Sequence, residues 1–282
     1  MRDDFAVFIL THGRADVMKT TSVLEYGGYT GRTYFVIDDE DAQAELYKER
    51  FGEENVITFC KQEAYDETDT MDTFNIHSAI VYARNQSFKI AKDLGLKYFL
   101  QLDDDFIDLQ WRWIENGRLR GKRMRHFDDL FNAMIRFLDD TNADTVAFCQ
   151  GGDYIGGAES GVMEKGLLRK AMNSYFCRTD RPITFRGTMN EDVVTYSTLS
   201  SRGHLFFSVT GTCIIPLATQ SLKGGMTEEY RATGTYLKSF YSVMSMPSAV
   251  KVDCMMTAHS RIHHSVSGNN AYPKIIGERY RK

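Results

Sequence analysis

Short apolar runs that end in polar turns alternate with helical stretches through the first half of the chain. Phe5 to Leu10 is apolar throughout and stops at Thr11-His12-Gly13-Arg14, the pattern of a buried strand feeding a loop. Thr33 to Ile37 repeats it and runs into Asp38-Asp39-Glu40-Asp41. A charged helix to about Phe51, closed by Gly52, leads to a third strand at Asn55 to Phe59. From Ile76 to Leu94 the residues Ala79, Ala83, Ile90 and Leu94 recur on one helical face, beside Ile80 and Ala91, and Gly95 sits just past the helix end. Tyr98 to Leu102 is a fourth strand, and it stops at Asp103-Asp104-Asp105.

The second half is less regular. Phe127, Leu130, Phe131, Met134 and Leu138 predict an amphipathic helix, followed by a strand at Thr145 to Cys149. The glycines 151, 152, 156, 157 and 161 lack the Gly-Lys-Ser/Thr ending of a phosphate-binding loop, so this segment reads as a mobile connection. Strands at Ser174 to Cys177 and Phe206 to Ile215 flank a helix beginning near Asn190, and a second Gly-rich stretch runs from Lys223 to Gly234. The order predicts an α/β fold with a mixed, mostly parallel sheet and helices on both faces.

Composition narrows the class. The 282 residues are 43% hydrophobic and 26% charged, which supports a large core and excludes disorder, collagen and coiled coil. With only 4 prolines and no linker-like tract, one continuous unit over 1–282 is expected. No apolar run approaches the roughly 18 residues of a membrane span. Met1-Arg2-Asp3-Asp4 puts carboxylates where a signal peptide carries cations, so a cytoplasmic protein without a membrane partner is expected. The 5 cysteines form no Cys-x-x-Cys pair and read as buried reduced thiols. A net charge of -4 does not advertise nucleic acid for the whole chain, so any such partner needs a local patch. Arg118, Arg120, Lys122, Arg123 and Arg125 supply one, with Trp111 and Trp113 just upstream.

In open α/β sheets the ligand crevice lies beyond the carboxyl ends of the strands. Thr11 to Arg14, Asp38 to Asp41 and Asp103 to Asp105 would converge there. Consecutive carboxylates at the end of an apolar strand repel one another unless a cation or solvent intervenes, and Mg²⁺ or Mn²⁺ prefers such oxygen ligands. Asp103 and Asp105 point to the same side of an extended segment and Asp104 to the other. The acidic run at Asp38 fits equally well as the start of the following helix, favoured by its dipole.

These residues carry a resemblance. The Asp103 to Asp105 strand end, preceded by Tyr82-Ala83-Arg84-Asn85 on a helix, resembles the Asp-x-Asp region of GT-A nucleotide-sugar glycosyltransferases. Gly187 to Val193 is similar to the Glu-Asp motif of that fold, and Arg261 to His264 to the segment that supplies a metal-binding histidine. More narrowly, Phe8 to Arg14 and His263 to Tyr272 resemble the TET-associated glycosyltransferases of bacteriophages. The resemblance implies a single GT-A (Rossmann-like) catalytic domain, with residues 1–105 holding the nucleotide sugar and 106–282 binding the acceptor and completing the metal site. It implies Mn²⁺ or Mg²⁺, a UDP-sugar such as UDP-glucose, double-stranded DNA carrying 5-hydroxymethylcytosine, and the cytoplasm of an infected bacterial host.

On that reading Asp103 and Asp105 bind the metal, with His263 or His264 as a third ligand. Thr11, Arg14, Asp38 and Asp39 line the uridine pocket, Arg84 reaches the diphosphate, and Asp104 contacts the ribose. Glu191 and Asp192 compete as general base for the acceptor hydroxyl. Thr188-x-x-Glu191 fits a capping box, which gives Glu191 a structural role. Asp192, expected partly exposed and ionised in the first turn, is the preferred base. The cations from Arg118 to Arg125 contact DNA phosphates, or else form a solvated loop, and flipping of the target base by aromatic wedges is a further expectation. Competing readings are transfer to a protein or glycan, a HAD-type phosphohydrolase with Asp103 as nucleophile, and a non-enzymatic DNA-binding protein. The second lacks the usual Thr or Val at Ile107, and the third leaves the Asp triplet unexplained.

Overall fold

The computed structural model describes residues 1–141, 143–217, 237–256, 260–272 and 278, so the stretch from Lys223 to Gly234 lies outside the described residues. Four parallel strands, β1 (Phe5–Leu10), β2 (Arg32–Asp38), β3 (Val56–Phe59) and β4 (Tyr98–Asp103), lie in the order β3-β2-β1-β4. Between them run α1 (Thr20–Gly27), α2 (Ala44–Phe51), α3 (Lys61–Glu67) and α4 (Val81–Asp93). The sheet continues through β9 (Ser174–Arg178), β7 (Thr145–Gln150) and β10 (Phe206–Pro216) to a hairpin, β5 (Phe106–Glu115) and β6 (Arg118–Arg123), and the short β8 (Leu167–Leu168) pairs with β10. Of these 10 strands, only β5, β8 and β9 run against the common direction, so the sheet is mixed and mostly parallel.

The continuous apolar run of β1 follows from burial on both faces. Ala6, Phe8 and Leu10 pack with Val81, Tyr82 and Phe88 of α4 and with Val193 and Val194 of α6 (Glu191–Ser200). Phe5, Val7 and Ile9 pack with Val23 and Leu24 of α1 and with Phe127, Phe131 and Leu138 of α5 (Phe127–Thr141). Helices therefore cover both faces. Among the described residues, no helix is long and apolar enough to cross a membrane.

Several expectations change in detail. The helix expected from Ile76 begins at Val81, although Ile76 and Ala79 still enter the core. The basic cluster is a strand of a hairpin rather than a solvated loop. Its tip, Asn116-Gly117, has φ of 49° and 69°, the left-handed pair of a type I′ turn. The Gly-rich segment is folded as three short 3₁₀ turns from Gly151 to Lys165, which bury Tyr154 and Val162 against Cys149 and Cys213. All five cysteines are free, but Cys254 is exposed and Cys60 half-buried. A separate antiparallel ribbon, β11 (Val250–Met256) and β12 (Ser260–Val266), follows a helix over 237–245.

Candidate active site

A cavity of about 180 Å³ opens at the carboxyl ends of the four parallel strands. Thr11, His12 and Arg14 follow β1, Asp38 ends β2, Lys61 follows β3, and Asp103 to Asp105 end β4. Phe59 at the end of β3 and residues 77–80, 82 and 83 at the entry to α4 complete the lining. Three of the strand-end clusters seen in the sequence therefore do share one cleft.

The acidic turn is held from two sides. Thr11 Oγ1 donates to Asp104 Oδ2 at 2.7 Å and Arg14 Nη1 to Asp104 Oδ1 at 2.9 Å. Tyr47 of α2 completes the knot, since its hydroxyl lies 2.8 Å from Thr11 Oγ1 and accepts from the Arg14 backbone at 2.8 Å. Asp104 is buried with both oxygens engaged within the chain, so its carboxylate ties the β1 loop to the β4 turn. Its neighbours are less compensated. Burial pushes Asp103 up to about 7 against the opposing Arg84 charge, with Asp105, Glu191 and Asp104 adding to the rise. Burial, then Asp104, pushes Asp105 up to about 6.

The uridine-side expectation divides between two adjacent residues. Asp38 lines the cleft and is tied to His12, whose Nδ1 lies 2.6 Å from its Oδ2, and to Lys61 Nζ at 3.3 Å. Burial works to raise Asp38, but the His12 hydrogen bond and the His12 and Lys61 charges hold it below the usual carboxylate range. The same bond raises His12, against the opposing effect of burial. Asp39 is exposed, does not line the cleft, and accepts from the Lys61 backbone at 2.9 Å at the start of α3.

Arg84, expected at the diphosphate, is 1% exposed and does not line the cleft. Its Nη2 donates to Asp103 Oδ1 and its Nε to Glu191 Oε1, each at 3.0 Å, while its guanidinium lies 4.9 Å from the Tyr175 ring centre. It bridges the acidic turn to the start of α6. The expected capping box is absent, because Glu191 turns to Arg84 and Thr188 Oγ1 donates to Asp72 Oδ2 at 2.6 Å. Asp192 is 6% exposed, not partly exposed as the sequence suggested. Burial, then the Glu191 charge, raises it to about 6. Neither acid lines the cleft, and Glu191 is linked to the acidic turn through Arg84.

His263 and His264 are neighbours on β12, with ring centres 4.3 Å apart. Burial, then the charge of His263, pushes His264 down to about 3, so its ring is neutral. Its Nδ1 faces the Asn190 amide nitrogen at 3.3 Å, a contact that leaves the ring proton on Nε2. Among the described residues, no three His, Cys, Asp or Glu side chains are grouped to hold a metal, so this pair is not gathered with Asp103 and Asp105. Arg118, Arg120, Lys122 and Arg123 of the hairpin and Arg125 just beyond it are all exposed; Arg120 and Arg123 pair with Glu115 at 3.4 Å and Asp108 at 2.8 Å, and Arg125 lies over the Tyr26 ring.

Residues 5–225 match the family described as TET-Associated Glycosyltransferase. The chain belongs to that family. Among curated proteins no match was found. The part matched to the TET-associated glycosyltransferases spans β1 to β10, and so includes the cleft, Arg84, the basic hairpin, Glu191 and Asp192, whereas His263 and His264 lie beyond it.

His12, Tyr47 and Lys61 were not singled out from the sequence as site residues. His12 and Lys61 each follow the end of a parallel strand, the same positional signal that marked Asp38 and Asp103. Tyr47 gives no such signal, since it lies in a charged helix.

Proposed function

We propose that this glycosyltransferase is of GT-A type and moves a sugar from UDP-glucose or a related UDP-sugar to the hydroxymethyl group of 5-hydroxymethylcytosine in double-stranded DNA, with Mn²⁺ or Mg²⁺ as cofactor. The reading rests on one observation, the gathering of Thr11, Arg14, Asp38 and Asp103 to Asp105 in one cleft at parallel strand ends, in a chain of glycosyltransferase family. Residues 1–105 then hold the donor and 106–282 the acceptor. His12, Asp38 and Lys61 offer both donors and an acceptor for the nucleoside, with Thr11 and Arg14 lining the same pocket.

The donor set suits a divalent cation. Asp103 and Asp105 offer carboxylate oxygens, and burial first, with neighbouring carboxylates adding to it, raises both above the ordinary range. Two carboxylates with substrate phosphates and water are a common shell for Mg²⁺, so the site needs neither His263 nor His264 as a preformed third ligand. When bound, the cation would neutralise charge growing on the departing diphosphate. The acceptor oxygen forms its bond to C1 of the sugar as the C1–diphosphate bond breaks, and its proton passes to a carboxylate. Asp192 is assigned that role, with Glu191 as the alternative. A value of about 6 leaves Asp192 ionised at neutral pH and close to the pH at which a base works best.

The test is to incubate the protein with Mn²⁺, UDP-sugars and duplex DNA containing cytosine, 5-methylcytosine or 5-hydroxymethylcytosine, then weigh the released nucleosides. A hexose-sized gain on the hydroxymethyl base alone is expected. Transfer only to a protein or glycan would remove the DNA acceptor and keep the chemistry. A phosphoenzyme on Asp103 would replace the reading with phosphohydrolysis.

A further inference from the structure

The β5–β6 hairpin presents two unlike faces. Antiparallel partners share a face, so the register of Trp111 with Lys122, Trp113 with Arg120 and Glu115 with Arg118 places these six side chains together. On the reverse face Leu119 packs with Cys149, Tyr154, Val162 and Cys213, and the Arg112 guanidinium lies 5.7 Å from the Tyr154 ring centre. Gly121 makes room for that cation, because a Cβ there would come within 2.8 Å of Arg112 Nη1. Packing on the reverse side thus fixes the orientation of the first face.

That first face is open. Trp111 and Trp113 are 42% and 38% exposed, β6 ends the sheet, and Arg118, Arg120 and Lys122 are exposed around the two rings. Large aromatic side chains on a sheet are ordinarily buried or at an interface. Phosphate contacts with a closed duplex require cations but no aromatic faces, since the bases are stacked inside. Alternating rings and cations suit unpaired nucleotides, whose bases stack on aromatic rings while their phosphates meet Lys and Arg. Three cations against the single Glu115 give this face the charge complementary to a nucleic-acid strand.

We propose that the Trp111–Trp113 face of the hairpin is a stacking platform for an unpaired stretch of DNA next to the base being modified. The inference rests on the DNA-acceptor reading and specifies the form of DNA held there. Along an extended strand Trp111 and Trp113 lie about 20 and 27 Å from Asp105, at roughly 3.4 Å per residue. The platform therefore positions flanking strand away from the reacting atoms, and its loss should appear in KM for DNA rather than in kcat.

Trp111 and Trp113 are the only 2 tryptophans of the chain, so intrinsic fluorescence reports on this face alone. The experiment titrates the protein with one oligonucleotide as a single strand, as a matched duplex, and as a duplex with an internal unpaired stretch, while anisotropy of labelled DNA follows binding independently. Saturable quenching by the single strand and the opened duplex, at least tenfold tighter than by the matched duplex, is expected. Trp111→Ala or Trp113→Ala should weaken single-strand affinity by about 5- to 150-fold, the equivalent of the 1–3 kcal/mol of a base–aromatic stack. Trp111→Phe should restore most of it, with unchanged thermal melting excluding misfolding. DNA binding without quenching, or equal quenching by the matched duplex, would overturn the platform and leave the DNA acceptor standing. No binding to any DNA, together with transfer to another acceptor, would overturn both.

Discussion

Arg84 and Asp192 show how far a side chain's role departs from its place in the sequence. Arg84 neutralises Asp103 and Glu191 from a fully buried position, and its Nη1 has no partner. Removing one member of such a set leaves uncompensated buried charge, so Arg84→Ala should destabilise the fold by about 3–5 kcal/mol, read as a lower urea midpoint. A small change would show that the two acids reach solvent. Asp192 tests differently. Its folded value of about 6 lies above the ordinary 3.8, so between these values the folded state keeps a proton that the unfolded chain has released. Stability from this group therefore falls as pH rises from about 4 to 6, and its full cost is present at neutral pH. Asp192→Asn should melt no lower than wild type at pH 7.5, with any gain vanishing near pH 4. Sugar transfer should fall by about 10²- to 10⁴-fold, the usual contribution of a general base, and wild-type transfer should decline as pH drops below about 6. Transfer retained in the Asn variant would pass the role to Glu191. The burial of Asp192 was not legible in the sequence because α6 buries Glu191 through Ser197 without a polar face, which removes the periodic signal.

At the scale of elements, the apolar runs of β1, β2 and β4 were legible because burial on both faces leaves no polar position within them. The hairpin was not, because β5 and β6 have exposed, charged faces and the rule that buried strands are apolar does not apply at an edge. Its one clear local signal is the Asn116-Gly117 turn pair. Contacts such as Asp104 with Thr11 and Arg14 depend on the β1–β4 register, which local patterning does not contain. Packing between helices makes its own prediction. Gly27, near the end of α1, faces α5 so closely that a Cβ would lie 2.3 Å from the Phe127 ring. Helix propensity favours Gly→Ala by about 1 kcal/mol. Phe127 is itself stacked on Phe131 at 5.3 Å and cannot swing aside, so overpacking of roughly 1–3 kcal/mol should prevail. Gly27→Ala should lower the urea midpoint, and adding Phe127→Leu should recover part of the loss. A more stable single variant would mean that α1 and α5 can separate at little cost.

Over the whole molecule the net charge of -4 conceals a division, with the acidic turn at the parallel strand ends and the cations on the edge hairpin. The turn and the hairpin are joined directly, since β5 leaves Asp105 and β6 returns with the cations. DNA approaching the hairpin would release counterions in proportion to the phosphates neutralised, lowering log K against log salt by about 0.9 per contact on duplex. The hairpin's own acids oppose this. Arg120 is shared with Glu115 and Arg123 with Asp108, so each must exchange a carboxylate for a phosphate before it contributes. Substituting Arg118, Arg120, Lys122, Arg123 and Arg125 by Gln should flatten the salt slope and weaken binding similarly for all sequences. Glu115→Gln should act in the opposite sense. It frees Arg120 and removes a like charge from the path of the phosphates, so affinity at low salt should rise by about two- to fivefold and the slope should steepen, as far as one exposed ion pair of up to about 1 kcal/mol allows. Anisotropy titrations at several salt concentrations decide the matter. A flatter slope in the Glu115 variant, or no change in the fivefold one, would place the DNA elsewhere on the molecule.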